Sequence, residues 1–521
     1  MRSVVRLTVG VLILAMGVMV VPMGTATPAK ASDSKQYILL GLGGQLPDNI
    51  DDLVASVGAK VVERNDEIGI AVVESSDPAF SYAATSIPGV QGLTENKLVS
   101  FTPPSDAPIV LDSIEQNAVV PPAVDPATAG LLWAQWNLRV TRAEQAWAAG
   151  FRGDPTVKVA VIDTGIDDTQ MELVGKVDQT LSRSFIDEPL QPLPPGVNPA
   201  NVKTWEVDAI GHGTHVAGII AASGHRVAGV APRVTLIAVK VAGRGGFADW
   251  GTIIKAIMYA ANSGANVINM SFSEIFKNDS PGLDQLEEAL QRAVNYAFKH
   301  GAVLVASAGN EGFNWDRMDD MVRLPAMLNH VVGVSATGPV FGVNPDALAA
   351  YSDYGREIVT LAAPGGTCVD FDPIKGGRCL GNPARLIPPD PILSSCSTFW
   401  YHPIKGLPTG HPLNWPCRFA VNPTTGRIGL VQRSVTMWGT SMSAAHVSGV
   451  AALVVSATGG SRHAAQIVEI LKRSADHVGL PWRNAQYGFG RVNAYRAVMY
   501  ATQAAVRPSE LGDDQSEAVR P

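Results

Sequence analysis

Charge is scarce in this chain, and neither sign is in strong excess. Asp, Glu, Lys and Arg make up 17% of the 521 residues, with 40 basic residues against 47 acidic ones, a formal net charge of −7 and a pI near 5.8. There is no basic surplus to neutralise phosphates, which argues against a nucleic-acid partner. Cysteine is scarcer still: the four residues Cys368, Cys379, Cys396 and Cys417 all fall within one 50-residue stretch. Glycine (51) and proline (36) stay near their usual globular share, which excludes collagen-like and low-complexity chains. Apolar residues, by contrast, are plentiful at 46%, enough to bury a large core and to exclude wholesale disorder. At about 150 residues per domain the length suggests roughly three units.

Long apolar runs are almost absent. The single one, residues 7–21, is interrupted only by Thr8, Gly10 and Gly17. Arg2 and Arg6 precede it, and Ala29-Lys30-Ala31 follows. It falls short of the roughly 20 residues that span a bilayer. The three-part pattern reads as a secretory signal peptide over 1–31, cut before Ser32, with a retained anchor as the competing reading. The expected product is secreted, with no stable membrane insertion. In an exported chain an even, clustered cysteine set reads as two disulfides. Cys368–Cys379 and Cys396–Cys417 is the nearest-neighbour choice among three connectivities. A zinc site of four thiolates competes, but neither pair has the tight C-x2–4-C spacing that structural zinc prefers.

Along the chain, 32–102 reads as a small α+β unit, with strand-like runs at 36–42 and 68–74 and helical spacing at 48–57. Residues 103–131 carry six prolines and are expected to form an extended, exposed linker. From 132 to 503 the pattern changes. Short apolar runs at 157–162, 234–240, 267–270, 302–306 and 331–334 suit strands buried on both faces. Helical stretches at 250–263 and 283–300 lie between them. Such alternation predicts one large α/β domain with a mostly parallel sheet between helices, its active groups where strands end. Residues 365–435 interrupt it and read as surface loops stapled by disulfides. The acidic segment 504–521 reads as a disordered tail.

Three segments carry chemistry. Residues 159–167 (VAVIDTGID) end a buried strand in Asp163; 211–218 (GHGTHVAG) set His212 before an apolar helix; 439–449 (GTSMSAAHVSG) set Ser441 at a turn before a small-residue helix. Taken singly, Asp163 reads as a helix cap, His212 as a core histidine and Ser441 as an N-cap. Together they supply a nucleophile, the base an alcohol needs at neutral pH, and a carboxylate to orient that base. A fourth segment, 306–312 (ASAGNEG), ends another strand in Asn310, a side-chain donor for an oxyanion, with the Ser441 N–H as the second donor.

These four boxes, in this order over about 132–500, resemble the subtilisin-like serine proteases, the subtilase family. The resemblance implies Asp163 as orienter, His212 as general base and acid, Ser441 as nucleophile and Asn310 as oxyanion donor. It implies polypeptide substrates, and an N-terminal unit that acts as an intramolecular inhibitory propeptide of ferredoxin-like form. Ala445 stands where the family usually has Pro. Ser271, Phe272 and Ser273 stand where it often has Ser-Leu-Gly, and are expected to bind substrate. No cofactor is required for the chemistry. Structural calcium, common in the family, is less secure here. Glu172 stands at an acidic ligand position, but the loop that should face it is cut to 223–228 and carries Arg226. The expected function is that of a secreted serine endopeptidase made as a self-processed zymogen. A dedicated precursor-processing protease, an idle binding protein on the same scaffold, and a metal hydrolase using His212 and His215 are the competing readings.

Overall fold

The computed structural model describes residues 34–101, 110–115, 125–339, 344–367, 371–372, 378–379, 391–421, 427–480 and 483–506. The expected signal peptide, Cys368 and most of the acidic tail lie outside the described residues.

The N-terminal unit runs β1 (Lys35–Gly41), α1 (Ile50–Ser56), β2 (Lys60–Asn65), β3 (Ile70–Ser75), α2 (Phe80–Ala84) and β4 (Val90–Glu95). Its antiparallel sheet has the order β2-β3-β1-β4, a ferredoxin-like β-α-β-β-α-β arrangement. The apolar run in β1 has a reason in both of its faces. Tyr37 and Leu39 pack with Val54 and Phe80 in the unit's own core, whereas Ile38 and Leu40 join a core shared with the larger domain. Successive side chains of a strand point to opposite faces, so a strand buried on both must be apolar throughout.

Next come β5 (Leu98–Ser100) and β6 (Val110–Glu115), then α3 (Trp136–Val140) and α4 (Ala143–Ala148). The large domain continues with β7 (Lys158–Asp163), β8 (Arg183–Ser184), α5 (His212–Ala221), β9 (Thr235–Lys240), β10 (Phe247–Asp249), α6 (Trp250–Asn262), β11 (Val267–Met270) and β12 (Glu274–Lys277). It then adds α7 (Leu283–Lys299), β13 (Val303–Ser307), β14 (Met321–Leu324), β15 (Val331–Thr337) and β16 (Leu361–Pro364). Seven strands form a parallel sheet, β16-β15-β13-β11-β7-β9-β8. Alternate residues of β7 divide the core: Val159 and Val161 pack on the side of α5 and of a later helix, α8 (Thr440–Ala457), and Ala160 and Ile162 on the side of α6 and α7. This is the predicted three-layer α/β fold.

The insertion holds β17 (Phe371–Asp372), β18 (Arg378–Cys379), β19 (Ile392–Ser395), β20 (Phe419–Val421) and β21 (Ile428–Met437), and α8 (Thr440–Ala457), α9 (Ala464–Ser474) and α10 (Ala494–Val506) end the described chain. The insertion is not surface loop throughout, as the sequence reading expected. Ile392, Cys396, Cys417, Val435 and Met437 are buried in the main core, because β19 lies against α5 and β21 pairs with β19. Cys396 and Cys417 face each other at disulfide distance, with Cα atoms 5.8 Å apart. Within the proline-rich stretch, β6 pairs antiparallel with β21, the strand that leads into α8.

Candidate active site

Asp163 is the last residue of β7 and is fully buried. Its Oδ1 accepts from the Thr164 N–H at 2.8 Å and lies 2.7 Å from Nδ1 of His212, the first residue of α5. The approach is close because residue 213 is glycine: a Cβ there would sit 2.1 Å from the Gly165 carbonyl. Asp208 aims the start of α5. Its Oδ1 accepts from Gly211 N–H and Thr164 Oγ1, its Oδ2 from Thr214 N–H, all at 2.8 Å. These bonds satisfy amides that a helix start leaves unpaired. Burial alone would lower the His212 pKa. The Asp163 charge and hydrogen bond, with help from Asp208, outweigh it and hold the pKa above its ordinary value.

Ser441 lies in the first turn of α8, which packs against α5. Its hydroxyl donates to the Ser271 carbonyl at 2.9 Å rather than to His212, and the Ser271 hydroxyl donates to the Ser441 carbonyl at 2.9 Å. Asn310 follows β13. Its Oδ1 accepts from the Thr440 N–H at 2.9 Å and the Thr440 hydroxyl at 3.0 Å. Two donors fix that atom as the oxygen, so Nδ2 is the free end. Phe272 is covered by the N-terminal segment and by α6. It is 3% exposed, its ring 4.7 Å from that of Phe101 and 6.4 Å from that of Trp250.

His215 turns away from His212. Its Nε2 lies 3.1 Å from the Ile392 carbonyl and 3.2 Å from the Val435 carbonyl, bridging β19 and β21. Burial drives its pKa down to about 3, so the ring is neutral. His446 is likewise neutral, lowered to about 4 by burial; it contacts the Met442 carbonyl at 2.7 Å and Asn137 Nδ2 at 2.8 Å. The insertion reaches the site: a Cβ on Gly211 would meet Trp400 at 3.5 Å, and Thr398 N–H donates to Asp167 at 2.6 Å.

The profile of the subtilase family matches residues 154–490. The chain belongs to the subtilase family. With that membership it is a serine endopeptidase, similar to a thermophilic serine proteinase of Bacillus sp. strain AK1, 30% identical over 70% of this chain and 67% of the relative. Thermitase of Thermoactinomyces vulgaris is 28% identical over 70% of this chain and 96% of that protein. Among solved structures, the epidermin leader peptide processing serine protease of Staphylococcus aureus covers 90% of this chain and 99% of its own, at 21% identity and TM-score 0.64, a likeness of fold. A lanthipeptide protease covers 73% and 99%, at 29% identity and TM-score 0.54.

In this subtilase the Glu172 position does not fit calcium. Its Oε2 accepts from the N–H groups of Gly224 and His225 at 3.1 and 3.0 Å, its Oε1 from those of Arg226 and Val227 at 2.5 and 3.1 Å. Four successive amides facing inward make an anion site, whereas a hard cation needs oxygens there. Burial raises the Glu172 pKa against the pull of those amides.

The sequence reading missed three groups of this subtilase site: Asp208, Thr440, and a buried pair, Arg323 with Asp353. Asp353 accepts from Glu311 N–H at 3.1 Å, Phe313 N–H at 2.8 Å and Trp315 Nε1 at 2.8 Å, and so shapes the loop after Asn310. Burial lifts its pKa to about 6, although the Arg323 charge opposes this. Asp208 and Thr440 adjoin the His and Ser boxes and were open to notice. Arg323 and Asp353 carry no signal in the sequence.

Proposed function

We propose that this subtilase cuts polypeptides through Asp163, His212 and Ser441, with Asn310 Nδ2 and the Ser441 N–H holding the oxyanion. The observation that carries this is the 2.7 Å contact between Asp163 Oδ1 and His212 Nδ1. With Nδ1–H donated to Asp163, Nε2 keeps its lone pair for the Ser441 proton. Ser441 Oγ turns from the Ser271 carbonyl toward Nε2, loses its proton to it and bonds to the scissile carbonyl carbon, whose π electrons move to the oxygen. Collapse breaks the C–N bond as His212 returns the proton to the amine. Water then repeats the sequence and frees the acid. Peptide hydrolysis that disappears in Ser441→Ala is the expected result; cleavage unchanged in that variant would sink the reading.

The chain is proposed to be exported as a zymogen, cut after the signal peptide. Contacts between the N-terminal unit and the large domain support this reading. Arg292 on α7 donates to the Gly41 carbonyl at 3.1 Å and to Gln91 Oε1 at 2.9 Å. Lys255 on α6 pairs with Glu63 at 2.6 Å. β5 pairs antiparallel with β10 in a two-stranded ladder, and Phe101 packs on Phe272. N-terminal sequencing of secreted, active protein tests this: a start beyond Phe101 is expected, and a start at Ser32 in fully active material would overturn it. Processing of one dedicated precursor is the narrower reading, favoured by the likeness to two proteases whose names refer to leader-peptide processing and to lanthipeptides.

A further inference from the structure

β11 and β13 are parallel neighbours, so the segments that follow them, 271–273 and 309–311, leave the sheet side by side. A peptide whose scissile carbonyl meets Ser441 Oγ and Asn310 Nδ2, and whose main chain runs beside 271–273, sends the side chain of its acyl-side residue into the gap between these segments. That gap already contains a guanidinium. Arg323 comes from β14, which pairs with β12 just beyond Ser273. Its Nη1 donates to Ser273 Oγ on one wall at 3.2 Å. Its Nη2 donates to the Glu311 carboxylate on the other wall and to Asp353. A Cβ on Gly309 would lie 2.5 Å from the Arg323 Cζ, so the guanidinium packs directly on that wall. Trp315 backs it, with Cζ 5.3 Å from the ring centroid. Arg323 as a whole is 1% exposed.

We propose that Arg323 closes this gap at shallow depth and so restricts the residue on the acyl side of the scissile bond to small side chains: Gly, Ala or Ser. The proposal rests on the roles assigned above to Ser441 and Asn310. The floor does not swing aside for a larger side chain, because moving the guanidinium would strand Asp353, buried and charged. Nor does it recruit an acidic side chain. Arg323 already faces Asp353 and Glu311, and Glu274 lies close enough to interact with both Arg323 and Glu311, so the local balance is negative before any substrate arrives. A long basic side chain would meet the Glu311 carboxylate only by displacing the cation that holds it.

The test uses the full chain after activation, with a peptide library varied at the acyl-side residue alone. Cleavage after Gly, Ala or Ser at least tenfold better in kcat/KM than after Phe, Leu, Arg or Glu is expected. The double variant Arg323→Ala with Asp353→Asn removes the floor without leaving a lone buried charge, and should raise cleavage after Leu or Phe at least tenfold. Preference of the unaltered enzyme for Phe, Leu, Arg or Glu, lost in Ser441→Ala, overturns the role of Arg323 and leaves the triad standing. Cleavage that survives Ser441→Ala overturns the triad instead. If the double variant does not fold, the library pattern of the unaltered enzyme alone decides.

Discussion

Thr440 holds the Asn310 carboxamide by its oxygen, through its backbone N–H at 2.9 Å and its hydroxyl at 3.0 Å. The residue before the proposed nucleophile thus orients the proposed oxyanion donor, and one turn of chain sets both. Asn310→Ala is expected to lower kcat by about 10²–10³ with little change in KM, since the lost bond forms only to the developing oxyanion. Thr440→Val removes one of the two bonds to Oδ1 and should cost about tenfold, the equivalent of one modest hydrogen bond. Steady-state kinetics on one peptide checks both. An Asn310→Ala enzyme with unchanged kcat would remove Asn310 from the chemistry.

The Asp163–His212 pair fixes the direction of pH dependence. His212 must be neutral to accept a proton, and its pKa is raised. The logarithm of kcat/KM should therefore fall by about one per pH unit on the acid side, with an apparent pKa above the ordinary histidine value of about 6.5. The linked effect on stability has the opposite sense. A raised folded-state pKa stabilises fully below the unfolded value, and the contribution is lost as pH rises through the folded value. Asp163→Asn should move the acid limb to lower pH and reduce kcat by about 10⁴. An acid limb unmoved by that variant would show that another group titrates.

How far the sequence could be read depended on the range of each interaction. Strands β7, β9, β11, β13 and β15 were legible because burial on both faces leaves continuous apolar runs. The four boxes were legible because each holds its group and its local supports within a few residues, as Asp208 and Thr440 also do. Arg323 and Asp353 were not, since 30 positions separate them and neither lies in a patterned run. β19 and β21 were hidden in a proline-rich context, and only the packing of Ile392 and Val435 beside α5 makes them core. The surroundings of Phe272 were hidden too, because its neighbour Phe101 comes from the N-terminal segment.

Cys396 and Cys417 are separated by 21 positions and both are buried. A bond between them closes a loop of that size and should stabilise the fold by about 3 kcal/mol. Cys396→Ala with Cys417→Ala is expected to lower the Tm, and thiol titration of the unfolded, unreduced protein should find neither sulfur free. Two titratable thiols at these positions would refute the pairing.

Glu206 provides a second pH effect. Burial, with Asp168 and Asp167 nearby, lifts its pKa to about 7, and Lys203 at 3.6 Å offsets this only in part. The raised value means stability is fully present below the unfolded carboxylate pKa and is lost as pH rises through about 7. Glu206→Gln should therefore raise the Tm at pH 8 more than at pH 5. Equal shifts at the two pH values would place the charge repulsion elsewhere.

Glu172 occupies a loop interior with its own carboxylate, so the loop needs no ion to satisfy it. Thermal unfolding with and without a calcium chelator should give the same contribution from this loop, whereas Glu172→Ala should strand four inward-facing amides, those of residues 224–227. Leaving buried donors unpaired costs about 1–3 kcal/mol each before relaxation, so a loss of at least about 3 kcal/mol is expected. Glu172→Gln separates shape from chemistry. Gln keeps the volume and one acceptor but turns an NH2 group toward amide donors, and should lose nearly as much as Ala. The decisive comparison is calcium added to Glu172→Ala. With the carboxylate gone, the amides still face inward and a cation gains nothing, so no recovery of Tm is expected. Recovery by millimolar calcium would mean that the loop can turn its carbonyls inward, and that Glu172 competes with an ion rather than replacing one.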